Sequence, residues 1–112
     1  MLYTYKAKCV NVVDGDTFDF FVDLGFYMTK KIRVRLAEVD TPELRASTEA
    51  ERRHAKVAKA FVETLILDKE VTIKTEKGVG IYGRYTAAVI LPTGEELCDK
   101  LSDAEMLKKA EY

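Results

Sequence analysis

Three short segments of the sequence contain residues that could do chemistry together. They are the segment 14–17 (Asp-Gly-Asp-Thr), Arg35 followed by the segment 40–43 (Asp-Thr-Pro-Glu), and the segment 82–84 (Tyr-Gly-Arg). Each segment alone is a weak signal, because Asp-Gly is a common turn sequence and a single arginine on a strand is usually solvated. Their joint occurrence in one short chain is what suggests a site.

Three carboxylates, on Asp16, Asp40 and Glu43, are expected near the ends of strands. Gathered in one cleft they would repel one another, and a divalent cation would relieve that repulsion. All the candidate ligands are oxygens, with no His or Cys close in sequence, so a hard ion such as calcium or magnesium is favoured over zinc. A carboxylate that does not bind the ion could take a proton from water.

Two arginines, Arg35 and Arg84, add guanidinium groups whose planar fork suits phosphate. A positioned water, a general base and cationic groups around the developing charge are the requirements for hydrolysing a phosphodiester. The residues predict this chemistry only if the fold brings the three segments together.

The elements that must position these residues are five short strand-like runs and one long helix. In the second run Phe18, Phe20 and Val22 share one face, as the two-residue period of a half-buried strand requires. Thr48 and Glu51 fit a capping box at the start of the helix. The runs are expected at about 5–13, 18–24, 32–36, 71–75 and 85–91, the long helix from about 48 to 68, and a further helical segment, in one or two pieces, over 96–111.

The order β-β-β-α-β-β-α indicates a mainly β protein of the α+β class, built as a small closed or partly open barrel with a helix between strands three and four. A chain of 112 residues fits a single domain over 1–112. The mixed side-chain parity of the first run predicts a β-bulge or a sharp coil there, as the corner of a small barrel needs.

The charges nearly cancel, with 18 basic and 19 acidic side chains, but residues 30–84 contain 13 basic and nine acidic ones, a net of +4. Any polyanion-binding surface must therefore be local. No apolar run approaches the roughly 20 residues of a membrane span, and the N-terminus has no secretion signal. We expect a cytoplasmic protein, with a trimmed secreted form as the alternative, and reduced, buried thiols at Cys9 and Cys98.

With these motifs in this order, the sequence resembles the staphylococcal (thermo)nuclease-like family. The resemblance covers roughly residues 5–112 and is carried by the segments 13–17, 35–43 and 82–84. The short link at 24–26 and the missing signal resemble the short intracellular, often phage-encoded members of that family.

The resemblance implies a five-stranded OB-type barrel and a calcium-dependent nuclease that acts on DNA and RNA and leaves 3′-phosphate products, with calcium preferred over magnesium. It implies DNA or RNA as the partner, with no membrane and no obligate protein partner. By the same resemblance Asp16, Asp40 and the Thr41 carbonyl would bind the metal, Glu43 would be the general base, Arg35 and Arg84 would bind the scissile phosphate, Tyr82 and Tyr112 would line the nucleotide pocket, and Asp14 would support the metal ligands.

Two features depart from the family pattern. Gly80 stands where the family usually has an acidic residue, and the chain ends at Tyr112, where longer secreted members continue toward a final helix. The rival interpretation is a catalytically silent OB-fold module that binds nucleic acid or protein. The enzyme is favoured because silent relatives lose a metal-binding carboxylate, the base or an arginine, and all of these are present here. Residues 26–28 (Phe-Tyr-Met) are either a contact patch or a loop folded onto the barrel mouth.

Overall fold

The structure is a computed structural model that describes residues 2–37, 39–76 and 84–112. Its elements follow the predicted order, although several begin or end at other residues than the sequence suggested. In chain order they are β1 (Leu2–Asp14), β2 (Thr17–Gly25), β3 (Met28–Leu36), α1 (Glu49–Ile66), β4 (Glu70–Glu76), β5 (Arg84–Ile90) and α2 (Leu97–Asp103).

The five strands close into a barrel in the order β1-β2-β3-β5-β4. All neighbouring strands are antiparallel except β3 and β5, which are parallel, so the chain between them crosses over through α1 and β4. The predicted OB-type α+β barrel is therefore confirmed, and it is the closed form.

Alternation along the strands fills the barrel. On β2 the side chains of Phe18, Phe20 and Val22 are buried, and Val34 and Leu36 of β3 face them. Helix α1 packs against β1 and buries a stripe of small and branched residues. That stripe consists of Ala55, Ala58, Val62 and Ile66.

Strand β1 pairs with both of its neighbours because it bends along its length. Its first half pairs with β4 as far as Lys8, and its second half pairs with β2 from Ala7 onward. The register with β2 shifts between Cys9 and Asn11 and again before Asp14. These shifts confirm the predicted irregularity in the first strand, and they turn the end of β1 toward the Asp-Gly-Asp turn.

Thr48 caps α1, since its Oγ1 accepts a hydrogen bond from the backbone N–H of Glu51 at 3.3 Å. The second half of a capping box, a bond from the Glu51 carboxylate back to Thr48, is not among the described contacts. The Glu51 carboxylate accepts instead from the backbone N–H of Glu43 at 3.1 Å. The helix start is thereby connected to one of the candidate site segments.

The predicted second helical piece near the C-terminus is wrong. Helix α2 ends at Asp103, and Glu105 adopts the left-handed conformation with a φ of 59°. The chain beyond it, 106–112, runs without helix, and the backbone N–H of Lys108 donates to the carbonyl of Asp40 at 2.9 Å. This hydrogen bond to Asp40 takes the place of the bond that the Lys108 N–H would make within a helix.

Both thiols are free, with Cys9 buried as predicted and Cys98 only half-buried. Among the described residues, no helix is both long enough and apolar enough to cross a bilayer.

The hairpin formed by β2 and β3 extends beyond the barrel. Strand β1 pairs with β2 no further than Val22, and β5 pairs with β3 only from Arg33. Within the described part of the chain, residues 23–31 therefore pair only with residues of this same hairpin, and all of them are exposed. We call residues 23–31 the distal arm. Phe26 and Tyr27 lie at its tip, so residues 26–28 do not fold onto the barrel mouth.

Candidate active site

At the opposite end of the same hairpin, an open cleft of about 500 Å³ lies between the β1–β2 turn and the segment that follows β3. The cleft collects most of the residues that the sequence singled out. Asp14, Asp16, Arg35, Asp40, Thr41 and Glu43 all line it. Arg45 and Lys108, which sequence reasoning did not propose, line it as well.

The Asp-Gly-Asp turn is held by its own side chain and by β3. The backbone N–H of Asp16 donates to Asp14 Oδ1 at 3.2 Å, and the backbone N–H of Leu36 donates to the carbonyl of Asp16 at 2.7 Å. Gly15 lies directly against Thr41: a β-carbon at position 15 would be 2.8 Å from Thr41 Oγ1. Only glycine allows the two segments to approach this closely.

Asp16 connects the two segments through its carboxylate. Its Oδ2 accepts from the backbone N–H of Thr41 at 3.2 Å, and its Oδ1 accepts from Thr17 Oγ1 at 3.2 Å. The side chain is almost buried. The carboxylate is thus fixed in orientation, and it places the backbone of Thr41 at the wall of the cleft.

Arg35 brings the Asp16 and Asp40 carboxylates to one point. Its Nη2 lies 3.7 Å from Asp16 Oδ2 and also donates to Asp40 Oδ1. Because both carboxylates contact the same nitrogen atom, they are close neighbours although Asp16 and Asp40 lie 24 positions apart in the sequence. The guanidinium group supplies the positive charge that two adjacent carboxylates require.

The two aspartates of the turn differ in the direction in which their pKa is shifted. Burial raises the pKa of Asp14 to about 6, and the neighbouring Asp16 carboxylate adds to this rise. Burial also acts to raise the pKa of Asp16, but hydrogen bonds from Asp14 and the Thr41 N–H, together with the Arg35 charge, outweigh it and hold that pKa below its usual value. Asp16 is therefore the carboxylate that stays charged.

The donor set of the cleft fits a hard divalent cation. Asp16 and Asp40 offer carboxylate oxygens, and the buried Oγ1 of Thr41 has no hydrogen-bond partner among the described residues. Arg35 holds positive charge between the two carboxylates, which is where a cation would be needed.

Three acidic or thiol ligand atoms within 4.8 Å of one another occur elsewhere in the described residues, at Glu96, Cys98 and Asp99 on the start of α2. That group lies outside the cleft and consists of exposed or half-buried side chains. In the cleft, the carboxylates are separated by Arg35, so a bound ion would have to replace the contact between Arg35 and Asp40.

Glu43 is exposed on the cleft wall and is held through its backbone. Its N–H donates to Glu51, whose carboxylate lies 3.7 Å from Lys108 Nζ. Sequence reasoning treated Glu51 only as a helix cap and placed Lys108 in a helix. No periodicity or motif signal could have placed Lys108 at the cleft, because its position depends on how the C-terminal segment packs.

The remaining predicted site residues are outside the cleft or outside the described residues. The hydroxyl of Tyr112 bonds with His54 Nδ1 at 2.7 Å and accepts from the backbone N–H of Lys109 at 3.0 Å, and Tyr112 does not line the cleft. Tyr82 and Gly80 lie outside the described residues, as does the side chain of Arg84. The backbone of Arg84 starts β5 beside Arg33. The nucleotide-binding roles of Tyr82 and Tyr112 stay predictions.

Comparisons with known proteins find sequence similarity to nucleases. The family described as staphylococcal nuclease homologue matches residues 33–109. A protein named micrococcal nuclease from Shigella flexneri is 33% identical over 88 residues, which are 79% of this chain and 44% of that protein. A protein named ParB from Escherichia coli is 29% identical over 75 residues, 67% of this chain and 40% of its own length. The chain thus spans less than half the length of these relatives.

Proposed function

Because this chain belongs to the staphylococcal nuclease homologue family, we propose that it is a calcium-dependent phosphodiesterase that hydrolyses DNA and RNA. The observation that carries the proposal is the meeting of Asp16 and Asp40 at Arg35, in an open cleft that also contains Glu43. Two metal-binding carboxylates, a free carboxylate and a guanidinium group are the parts that phosphodiester hydrolysis needs.

In this proposal Asp16, Asp40 and the backbone carbonyl of Thr41 hold the ion. When bound, the ion would polarise the phosphate and supply charge that stabilises the transition state. Calcium is preferred to magnesium because it accepts mixed carboxylate and carbonyl ligands in an irregular arrangement. The buried Thr17 and Thr41 contacts to Asp16 keep its carboxylate in place for this task.

Glu43 acts as the general base. Its carboxylate is exposed to the cleft and makes no hydrogen bond to the described residues, so it is available to a water molecule. It would take a proton from that water as the oxygen attacks phosphorus. The bond between phosphorus and the 5′-oxygen breaks, and the departing oxygen takes a proton from solvent water, which leaves a 3′-phosphate on one product and a 5′-hydroxyl on the other.

Arg35 and Arg84 stabilise the charge that develops on the phosphoryl oxygens. Arg35 is one-third exposed and already lies in the cleft, where it contacts carboxylates that a metal ion would satisfy instead. Once released from them, its guanidinium group can bind two phosphoryl oxygens at once. Arg84 begins β5 beside Arg33, on the strand that neighbours the one with Arg35.

The test is cleavage of single-stranded DNA with calcium, with and without a chelator, by the wild type and by Glu43→Gln. We expect cleavage that requires calcium and falls about 10²- to 10⁴-fold in the variant, the usual range for losing a general base. Glu49→Gln is the matched control, since Glu49 is an exposed carboxylate in the first turn of α1, outside the cleft.

Equal cleavage by Glu43→Gln would contradict the assignment of the base. A wild type that binds DNA but never cleaves it would favour the silent binding module. A thermal melt separates these outcomes from a failure to bind metal, because saturating calcium should raise the melting temperature if the ion binds the folded protein.

A further inference from the structure

The tip of the distal arm has an unfavourable backbone for its residues. Phe26 and Tyr27 form the two-residue turn between β2 and β3, with φ values of 54° and 60°. Two successive positive φ values define the type of hairpin turn for which Asn-Gly is the preferred sequence. Aromatic residues pay a steric penalty in this conformation. A local conflict of this kind, on an otherwise regular hairpin, indicates a requirement other than folding.

The same two side chains are almost completely exposed, Phe26 by 95% and Tyr27 by 108% of the reference area. Leu24 and Met28 beside them are exposed by 41% and 59%. Burial therefore gives nothing back for these large apolar side chains, and a cluster of them at one point marks a binding surface.

From the arm, a row of basic side chains leads along β3 to the cleft. Lys31, Arg33 and Arg35 occupy alternate positions on the outer face of β3, and Arg35 lies in the cleft. Phe21, exposed by 45%, is the cross-strand neighbour of Lys31 on one side and of Lys8 on the other. Neither lysine makes an ion pair with the described residues. An aromatic ring between two free cations is typical of surfaces that bind single-stranded nucleic acid.

We propose that the distal arm is a stacking platform for single-stranded nucleic acid, which holds bases on Phe26 and Tyr27 while the backbone follows Phe21, Lys31 and Arg33 into the cleft. This inference rests on the proposed function, since the strand it delivers is the one to be cleaved. Arg35 lies eight positions after Tyr27 along the strand, a distance of about 26 Å at ~3.3 Å per residue. An OB-fold binding site of about 4–16 nucleotides can bridge that distance.

The continuity of the basic row with the cleft favours a nucleic-acid strand over a membrane or a second copy of the chain. A membrane-inserting tip would need no cations leading away from it toward the cleft. A self-association surface would not need unpaired lysines on both sides of Phe21, because two copies would bring like charges together.

The test replaces the tip by the sequence that its backbone prefers, Phe26→Asn with Tyr27→Gly. Binding of a fluorescent oligothymidylate of about 20 nucleotides is measured by anisotropy in chelator, so that cleavage does not interfere. We expect the double variant to bind at least about tenfold more weakly than the wild type, in line with the loss of base stacking. Val57→Ser, which removes an exposed apolar side chain from α1, should bind as the wild type does.

Two further measurements separate this proposal from the proposed function. The double variant should hydrolyse a small chromogenic phosphodiester as fast as the wild type does, because the cleft is unchanged. Lys31→Gln should lower the slope of log affinity against log salt concentration by about one. If the wild type cleaves nothing, the anisotropy measurement still tests the arm.

Unchanged oligonucleotide binding by the double variant would overturn the proposal. Two other results would also overturn it. One is that the wild type sediments with vesicles of phosphatidylcholine and phosphatidylserine, and the other is that it dimerises in light scattering. Either result counts if the double variant abolishes it and still binds the oligonucleotide as the wild type does. The preferred turn sequence keeps the hairpin folded, so weaker binding cannot be attributed to unfolding of the arm.

Discussion

The two ends of the β2–β3 hairpin differ in which kind of side chain they bury and which they expose. At the cleft end Asp16 is almost buried, and its carboxylate is fixed by bonds from Thr41 and Thr17. At the arm end Phe26 and Tyr27 are uncovered, and the described contacts that hold their turn come from its own strands. The cleft end buries a charged side chain, although an apolar residue there would favour folding more. The arm end exposes aromatic side chains, although polar residues there would favour folding more.

Both ends break a local folding preference, but different forces maintain them. The cleft end is set by tertiary contacts, since β3 and the segment after it close over the β1–β2 turn. The arm end is set by the register of a two-stranded ribbon, which is marginal alone in water. Changes at the cleft end should therefore alter both the stability of the fold and the cleavage rate. Changes at the arm end should alter stability without changing the cleavage rate of a small substrate.

The largest expected effect comes from a comparison of the two turn glycines. Gly15→Ala places a β-carbon 2.8 Å from Thr41 Oγ1 and 2.9 Å from its β-carbon, so Thr41 and the segment proposed to bind the metal must move. We expect a loss of about 2 kcal/mol in the free energy of unfolding, as for overpacking of a tight site. Calcium-dependent cleavage of a small phosphodiester should fall with it. Urea unfolding and the cleavage rate measure the two effects.

Gly25→Ala is the matched change at the arm. Apart from Gly25 and its two chain neighbours, no described residue has a heavy atom within 4 Å of the added β-carbon, but Gly25 has a φ of 79°, which strains any other residue. The protein should lose about 1 kcal/mol of stability from this strain, with no change in small-substrate cleavage. If both variants lost activity equally, the proposed independence of the two ends would be wrong.

Sequence patterns located the elements wherever one face was buried. The two-residue period gave the cores of β2 and β3, and Thr48 with Glu51 gave the helix start within one residue. Strand β3 begins at Met28 and not near residue 32, because the arm is exposed on both faces and so has no alternation to detect. The exposure of the arm also excludes the interpretation of residues 26–28 as a loop folded onto the barrel mouth.

The candidate site was predictable in residue type but not in arrangement. Oxygen ligands and arginines on three segments indicated metal-assisted phosphate chemistry, and the barrel gathers most of them in one cleft. The position of Arg35 between two carboxylates and the approach of Lys108 depend on long-range packing. The helix predicted over 96–111 failed beyond Asp103 for the same reason, because the backbone of Lys108 bonds to Asp40 in place of a helical partner.

A smaller effect is expected from the turn variant Phe26→Asn with Tyr27→Gly, measured now for stability. Both new residues tolerate positive φ, so the strain of two aromatic residues disappears, although Gly adds entropy to the unfolded chain. We expect the free energy of unfolding to rise by about 1 kcal/mol in urea titrations. A stability that fell would mean that the aromatic rings support the ribbon, and the arm would then need another account.

The smallest effect is expected from a substitution midway along the β2–β3 hairpin, between the cleft end and the arm end. Asp19 on β2 is 7% exposed and accepts from Arg33 Nε at 2.8 Å and from Asn11 Nδ2 at 3.1 Å. The hydrogen bond from Arg33 is the main reason why the pKa of Asp19 lies below its usual value, and Asn11 adds to it against the opposing effect of burial.

A carboxylate with a lowered pKa in the folded state stabilises the protein above its unfolded pKa of about 3.9, and this contribution is lost as the pH falls through the folded value. Asp19→Asn should therefore cost about 0.5–1 kcal/mol at pH 7, discounted because Arg33 is half-exposed and screened by solvent. The difference from wild type should shrink below pH 4 in urea unfolding. A difference that stayed constant down to pH 2 would show that Asp19 acts through packing and not through its charge. Cleavage of the small phosphodiester at neutral pH should not change, since Asp19 does not line the cleft.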